Sequence, residues 1–244
     1  MEISFKEKRI LVTGAGQGIG RGIAVQLAKC GAKVVALGRQ KKHLDSLQDE
    51  VPGIETICVD IQNWNETRNS LKTLGHVDCL VNNAAVAQLS PFLEIKPEEF
   101  DQSFSVNVKA VINISQYIAR DWLHTSTPGV IVNLSSQASQ AALKDHAVYC
   151  ATKSALDSLT RVMALELGPH NIRVNCVNPT VIMTEMGKLG WSDPAKAEPM
   201  KAKIPLGRFG EVHEVVDAVL FLLSDRSSMI TGVALPVDGG FLAA

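Results

Sequence analysis

Short apolar runs alternate along the chain with longer stretches in which apolar positions recur at helical spacing. Residues 10–12, 34–37, 57–59, 79–81, 130–132 and 174–177 are continuously or almost continuously apolar, the form taken by strands buried on both faces of a parallel sheet. Between them, residues 21–29 and 97–121 are long enough for helices, and a further helix is predicted from the vicinity of Tyr149 to Leu167. From about Glu211 the apolar residues Val212, Val215, Val216, Val219, Leu220 and Leu223 share one helical face. A last strand is predicted over 233–237, which brings the number to seven. Repeated strand–helix units with buried strands predict an α/β fold, a doubly wound parallel sheet with helices on both faces. No linker or internal repeat breaks the pattern, so residues 1–244 read as a single domain. The stretch 180–210 departs from it. Gly187, Gly190, Pro194, Pro199 and Pro205 punctuate that stretch, and a segment so long and irregular inside a compact domain predicts a mobile substrate lid at about 183–208.

Composition narrows the classes of function. With 46% hydrophobic and 20% charged residues the chain can bury a full core. Its 24 Lys and Arg against 25 Asp and Glu leave a formal charge of −1, so nucleic acid is not an expected partner. No apolar run approaches the roughly 18 residues of a transmembrane segment, and the start of the chain lacks the basic and apolar regions of a secretory signal. Five widely spread cysteines without a CxxC pair suit neither a disulfide framework nor a zinc site. No metal is expected, and the expected compartment is the cytoplasm, with peripheral attachment to a membrane left open.

The first predicted strand runs into Thr13-Gly14-Ala15-Gly16-Gln17-Gly18-Ile19-Gly20, followed by a helix. Strand, glycine loop and helix in that order make a dinucleotide site of Rossmann type: the glycines allow a sharp turn, and free N–H groups with the helix dipole attract a pyrophosphate. Gly14, Gln17, Gly18, Ile19 and Gly20 are the candidate loop contacts. An NAD site carries an acid about 20 residues further on, at the end of the second strand. Here the chain has Arg39, whose guanidinium suits a 2′-phosphate, so NADPH/NADP+ is the expected cofactor. Asp60, after the third strand, can accept from an adenine amino group, and Asn83 and Ala84, after the fourth, are small residues where backbone passes close to a ribose.

Tyr149 and Lys153 stand four residues apart and therefore on one helical face. A free tyrosine with its pKa near 10 is a poor acid at neutral pH; a cation one turn away is expected to bring it toward neutrality. Ser136, at the end of the fifth strand, can hold a carbonyl oxygen beside the phenol. Cys150 reads as a small buried residue rather than a reactive thiol.

Residues 13–20, Asn82-Asn83-Ala84, Asn107, Ser136, Tyr149 and Lys153, together with Asn178-Pro179-Thr180 and Asp238-Gly239-Gly240, resemble the short-chain dehydrogenase/reductase family over essentially the whole chain. The resemblance implies a catalytic tetrad of Asn107, Ser136, Tyr149 and Lys153. Tyr149 would donate the proton, Ser136 orient the carbonyl, and Lys153 hold the nicotinamide ribose and lower the tyrosine pKa; Asn107 would position a water linking Lys153 to solvent. Pro179, Ile182 and Thr184 would hold the nicotinamide end. Within the family the chain is similar to a branch that uses NADPH on a sugar ketone or an α-dicarbonyl and assembles as a homotetramer, with Gln137, Leu143, His146 and Trp191 lining the substrate pocket. Gln17 departs from the basic residue that many NADP-dependent relatives carry in the loop, which leaves the phosphate to Arg39. Three alternatives stay open: a dehydrogenase of steroids or aliphatic alcohols, a pterin or quinone reductase, and a non-catalytic NADP(H)-binding scaffold. From the residues alone, His146 also reads as a solvated helix-start histidine and Trp191 as a packing anchor.

Overall fold

A computed structural model describes residues 3–244. Its strands are β1 (Arg9–Thr13), β2 (Lys33–Gly38), β3 (Glu55–Cys58), β4 (Cys79–Asn82), β5 (Gly129–Leu134), β6 (Ile172–Pro179) and β7 (Ala234–Val237). They form one parallel sheet in the order β3-β2-β1-β4-β5-β6-β7. Leu11 of β1 is in register with Val35 on one side and Leu80 on the other. The chain turns back at the centre of the sheet, between β1 and β4, and leaves there the crevice at strand carboxyl ends where such folds take ligands.

The helices are α1 (Gly18–Lys29), α2 (Lys41–Glu50), α3 (Trp64–Leu71), α4 (Pro97–Phe104), α5 (Ala110–Thr125), α6 (Ala147–Leu167), α7 (Glu185–Gly190), α8 (Pro194–Lys201) and α9 (Val212–Leu223). Two apolar clusters lie on the two faces of the sheet. Ile23 and Leu27 of α1, Leu44 of α2 and Val215 and Val219 of α9 cover Ile10, Val12 and Val132. Leu71 of α3, Ile114, Ile118 and Trp122 of α5 and Ala164 of α6 cover Leu11, Leu80 and Ile131. Side chains on consecutive strand residues alternate between those faces, which is why the runs read as continuously apolar.

Two local expectations need correction. The third strand was expected to be buried over 57–59; β3 runs Glu55–Cys58 and, as the outer strand of the sheet, leaves Glu55 and Cys58 exposed. The single helix expected over 97–121 is divided by a π-helical turn, Ser105–Lys109, in which the Ala110 N–H reaches back to the Ser105 carbonyl. Such insertions within helices are frequent at functional sites, and this one carries Asn107. The stretch 180–210 holds two short helices and a cluster of its own, in which Ala197, Ile204 and Phe209 are buried against Val181, Met183, Trp191, Met200 and Phe241. It is fastened at its two ends where Met183 N–H donates to the Gly210 carbonyl at 2.8 Å and Gly210 N–H to Val181 at 3.0 Å. Among the described residues, no helix is long and apolar enough to cross a membrane.

Candidate active site

The glycine loop is shaped by its contacts with β4 as much as by its own flexibility. Gly14 has φ +64°, and a Cβ there would sit 2.8 Å from the Ala84 Cα; Gly20 would clash with the Gly14 carbonyl and the Asn83 amide. The Asn83 side chain donates to the Thr13 and Gly14 carbonyls at 3.0 and 3.2 Å. The Thr13 hydroxyl oxygen accepts from the Asn83 and Ala84 N–H groups at 3.0 and 3.1 Å. Asn83, expected to meet a ribose, thus spends its amide on tying the loop to the end of β4, because backbone carbonyls turned out by the glycine turn need a donor. Sequence reasoning missed Thr13 in that role.

The start of α1 suits a pyrophosphate. Gln17 precedes the helix without a capping side chain, and no acid lies in the first turn, so the first N–H groups remain free for an anion. Gly18 faces the Thr184 methyl, where a Cβ would stand 3.4 Å away. Thr184 in turn caps α7 by accepting from Gly187 N–H, and its own N–H donates to the Ile182 carbonyl. The structure therefore brings Gly18, Ile182 and Thr184 to one place from opposite ends of the chain. Arg39, at the end of β2, is exposed and lies 3.8 Å from Asp60. Asp60 also accepts from Gln62 N–H at 3.0 Å. Both stand at the rim of the crevice, where the sequence placed them, and the Arg39 guanidinium is loosely held.

The candidate catalytic residues converge from β5, α6 and the π-helical turn. The Ser136 side chain acts on the Tyr149 phenol, favouring its ionised form, and the Ser136 hydroxyl oxygen accepts from Ala138 N–H at 3.1 Å. The Lys153 ammonium lies 5.6 Å from the centre of the Tyr149 ring and donates to the Leu134 carbonyl at 2.7 Å. Lys153 is buried, and desolvation pushes its pKa down to about 8 against the pull of Cys176 and Asp157. Burial raises the Tyr149 pKa above its ordinary value and outweighs the opposing influence of the Ser136 side chain. That corrects the expected direction: with the ammonium held toward Leu134, desolvation wins, and the phenol keeps its proton at neutral pH.

Asn107 is buried. Its amide donates to the Val86 carbonyl at 2.8 Å and to the Thr152 hydroxyl at 3.0 Å, and its side-chain oxygen accepts from Val86 N–H at 2.9 Å. The side chain is therefore committed to joining the segment after β4 to α6, and any hold on a water falls to its backbone carbonyl.

Of the expected pocket residues, Gln137 is buried beside Ser136 with its side-chain oxygen unpartnered. His146 stands at the start of α6 with its ring edge-on to Tyr149 at 6.3 Å, and its Nδ1 meets the Lys144 carbonyl. Leu143 adjoins it, its carbonyl accepting from His146 N–H. Trp191 packs on Phe209 at 5.2 Å, with the Lys196 ammonium over its face at 4.9 Å, within the apolar cluster of the 180–210 stretch. Pro179 ends β6, and the Thr180 N–H that follows donates to Val237.

Known proteins are similar to this chain over its whole length. A family profile described as enoyl-(acyl carrier protein) reductase matches residues 14–242. An L-xylulose reductase of Bos taurus is 61% identical over all of this chain and all of its own. The carbonyl reductase (NADPH) 2 of Sus scrofa is 49% identical, again over the whole of both chains. Among solved structures, a putative 2-deoxy-D-gluconate 3-dehydrogenase from Agrobacterium tumefaciens with bound NADP superposes with a TM-score of 0.91 at 30% identity, covering 100% of this chain and 99% of that one.

Proposed function

The chain belongs to the short-chain dehydrogenase/reductase family, and from that premise we propose that it is an NADPH-dependent carbonyl reductase. Its substrates are L-xylulose, reduced to xylitol, and α-dicarbonyls such as diacetyl, reduced to hydroxyketones. The reaction is carried by one observation, the joining of Ser136, a protonated Tyr149 and a buried Lys153 beside a glycine loop open to a pyrophosphate. The choice of substrate is supported by the L-xylulose reductase relative and by the unpartnered oxygen of Gln137, which suits a hydroxyl of a polyol.

NADPH, when bound, supplies the hydride. Gly14, Gln17, Gly18, Ile19 and Gly20 would hold its pyrophosphate, Arg39 its 2′-phosphate, Asp60 its adenine, the backbone at Asn83 and Ala84 the adjoining ribose, and Pro179, Ile182 and Thr184 its nicotinamide end. Ser136 and Tyr149 both address the carbonyl oxygen. The serine hydroxyl orients it, and Tyr149 passes its phenolic proton to the oxygen as charge develops there. The Lys153 ammonium stabilises the phenolate left behind and holds the nicotinamide ribose. Asn107 keeps α6 in register with the segment after β4. Gln137, Leu143 and His146 form the substrate wall, and Trp191 stiffens the lid over 183–208.

The working assembly is a homotetramer and the compartment the cytoplasm. Exposed Leu165 on α6 and Phe92 and Leu93 before α4 supply apolar surface for subunit contacts, and five free cysteines suit a reducing environment. The test is NADPH consumption with L-xylulose and diacetyl as separate substrates, repeated with NADH. Turnover on both substrates with a clear preference for NADPH is expected. Tight NADPH binding with no turnover on either would overturn the substrate assignment.

A further inference from the structure

Behind the catalytic group lies a buried carboxylate that touches neither the substrate wall nor the glycine loop. Asp157 sits on α6 one turn beyond Lys153 and is 5% exposed. One of its oxygens accepts from the Asn178 amide nitrogen at 2.9 Å; the other has no partner. The same Asn178 nitrogen lies 3.2 Å from the Ser136 carbonyl and 2.9 Å from the Ser139 hydroxyl, and that hydroxyl donates to the Ser136 carbonyl at 2.8 Å. An amide nitrogen has two protons. One serves Asp157 and the other is shared by the two serines. An ionised carboxylate accepts only, so Asp157 obliges the Asn178 amide to present its nitrogen inward, toward the turn that carries Ser136.

We propose that Asp157 is a positioning residue for this site: wedged between α6 and β6, it orients Asn178 to clamp the turn that carries Ser136, and it sets a negative charge on α6 one helical turn along from Lys153. A charge buried this deeply is costly unless it is used. The titratable groups that face it are Lys153 on its own helix and the Cys176 thiol on β6. Burial and the carboxylate push that thiol upward, so it stays neutral and Lys153 is left as the partner charge.

The proposal rests on the reductase reading only for its kinetic arm. In the full-length protein, Asp157→Asn removes the charge and keeps an acceptor for Asn178, whereas Asp157→Ala removes both. Carbon-13 lysine spectra, with Lys153 assigned by its loss in Lys153→Met, follow the ammonium titration without substrate. The midpoint should fall by about one pH unit or more in both variants. In turnover, kcat should fall about tenfold in Asp157→Ala and less in Asp157→Asn, with KM for NADPH unchanged and the alkaline limb moved to lower pH in both. An unmoved Lys153 midpoint and unmoved pH limb in folded Asp157→Asn would overturn the proposal, as would a loss confined to melting temperature. Should Asp157→Ala fail to fold, Asp157→Asn decides alone. If the unsubstituted protein reduces no carbonyl, the reductase reading falls while the lysine titration still decides the role of Asp157.

Discussion

The floor of the candidate site and the proposed lid are held in different ways. At the floor, β5 and β6 run in register from Gly129 opposite Ile172 to Leu134 opposite Val177, and Asn107, Ser135, Thr152, Lys153, Asp157 and Asn178 are all buried. Hydrogen bonds join each of them to backbone or to one another across four separate elements, with one oxygen of Asp157 and that of Asn178 left without a partner. The cover between Ile182 and Gly210 buries three apolar residues of its own and leaves Leu189 and Leu206 exposed. Its two ends are joined to each other through Val181, Met183 and Gly210, and the Leu206 N–H ties it to the Gly239 carbonyl at 3.1 Å. The geometry of the floor is thus set by the sheet and a buried network, while the segment over 182–210 is a small unit with a separate apolar cluster.

Substitutions at the two regions should separate along that line. The largest effect belongs to the floor. Lys153→Met should lower kcat by about a hundredfold or more, since the proton donor loses its cation, and should weaken NADPH binding. Because the folded Lys153 pKa, about 8, lies below its usual 10.5, the charged lysine costs stability fully below pH 8, and that cost fades as pH rises toward 10.5. Melting temperature at neutral pH should therefore hold or rise in Lys153→Met while activity collapses, and kcat of the unsubstituted enzyme should decline as pH rises through about 8. A variant that lost stability and activity together would erase the distinction between a strained floor and a merely structural one.

At the rim, Arg39→Asp should turn the NADPH/NADH preference by about tenfold or more without altering the melting temperature, as Arg39 is exposed and loosely paired. An unmoved cofactor ratio would place the 2′-phosphate elsewhere. In the lid, Phe209→Ala removes a buried ring that supports Trp191. KM for L-xylulose should rise several-fold, with kcat near normal and the global transition little changed, because the cluster is local. A matching fall in kcat would join lid and floor into one unit. The smallest effect is expected at the lid's far edge, where Arg208 and the backbone of Glu211 hold the Glu214 carboxyl down to about 2. A carboxylate with a lowered folded pKa stabilises above its usual 4.5 and loses that contribution as pH falls toward 2. Glu214→Gln should thus lower the melting temperature slightly at pH 7, by less at pH 3, and leave turnover unchanged.

The strands, the glycine loop and the Tyr149–Lys153 pair were legible in the sequence because each is a local pattern: a run, a turn or a one-turn spacing. The partial exposure of β3 was not, since it depends on which strand lies outermost in the sheet. Nor was the π-helical turn at Asn107, because one extra residue in a helical turn leaves the apolar pattern of 97–121 almost unchanged. Asn83 and Asn107 illustrate a further limit. Both residues were picked out, but their amides serve carbonyls of distant segments, and no spacing announces such a partner. The same holds for Leu134, whose backbone holds the Lys153 ammonium. Asp157 was within reach, being four residues after Lys153; what the sequence withheld was that Asn178 of β6 would meet it.

The most direct test compares the unsubstituted protein with Tyr149→Phe, measuring NADPH consumed and xylitol formed from L-xylulose together with the NADPH dissociation constant. Xylitol should match NADPH mole for mole in the first. In the second it should form about a thousandfold more slowly, with the dissociation constant unchanged, since only the proton is lost. Turnover of Tyr149→Phe at the normal rate would contradict the account, for the proton would then come from elsewhere.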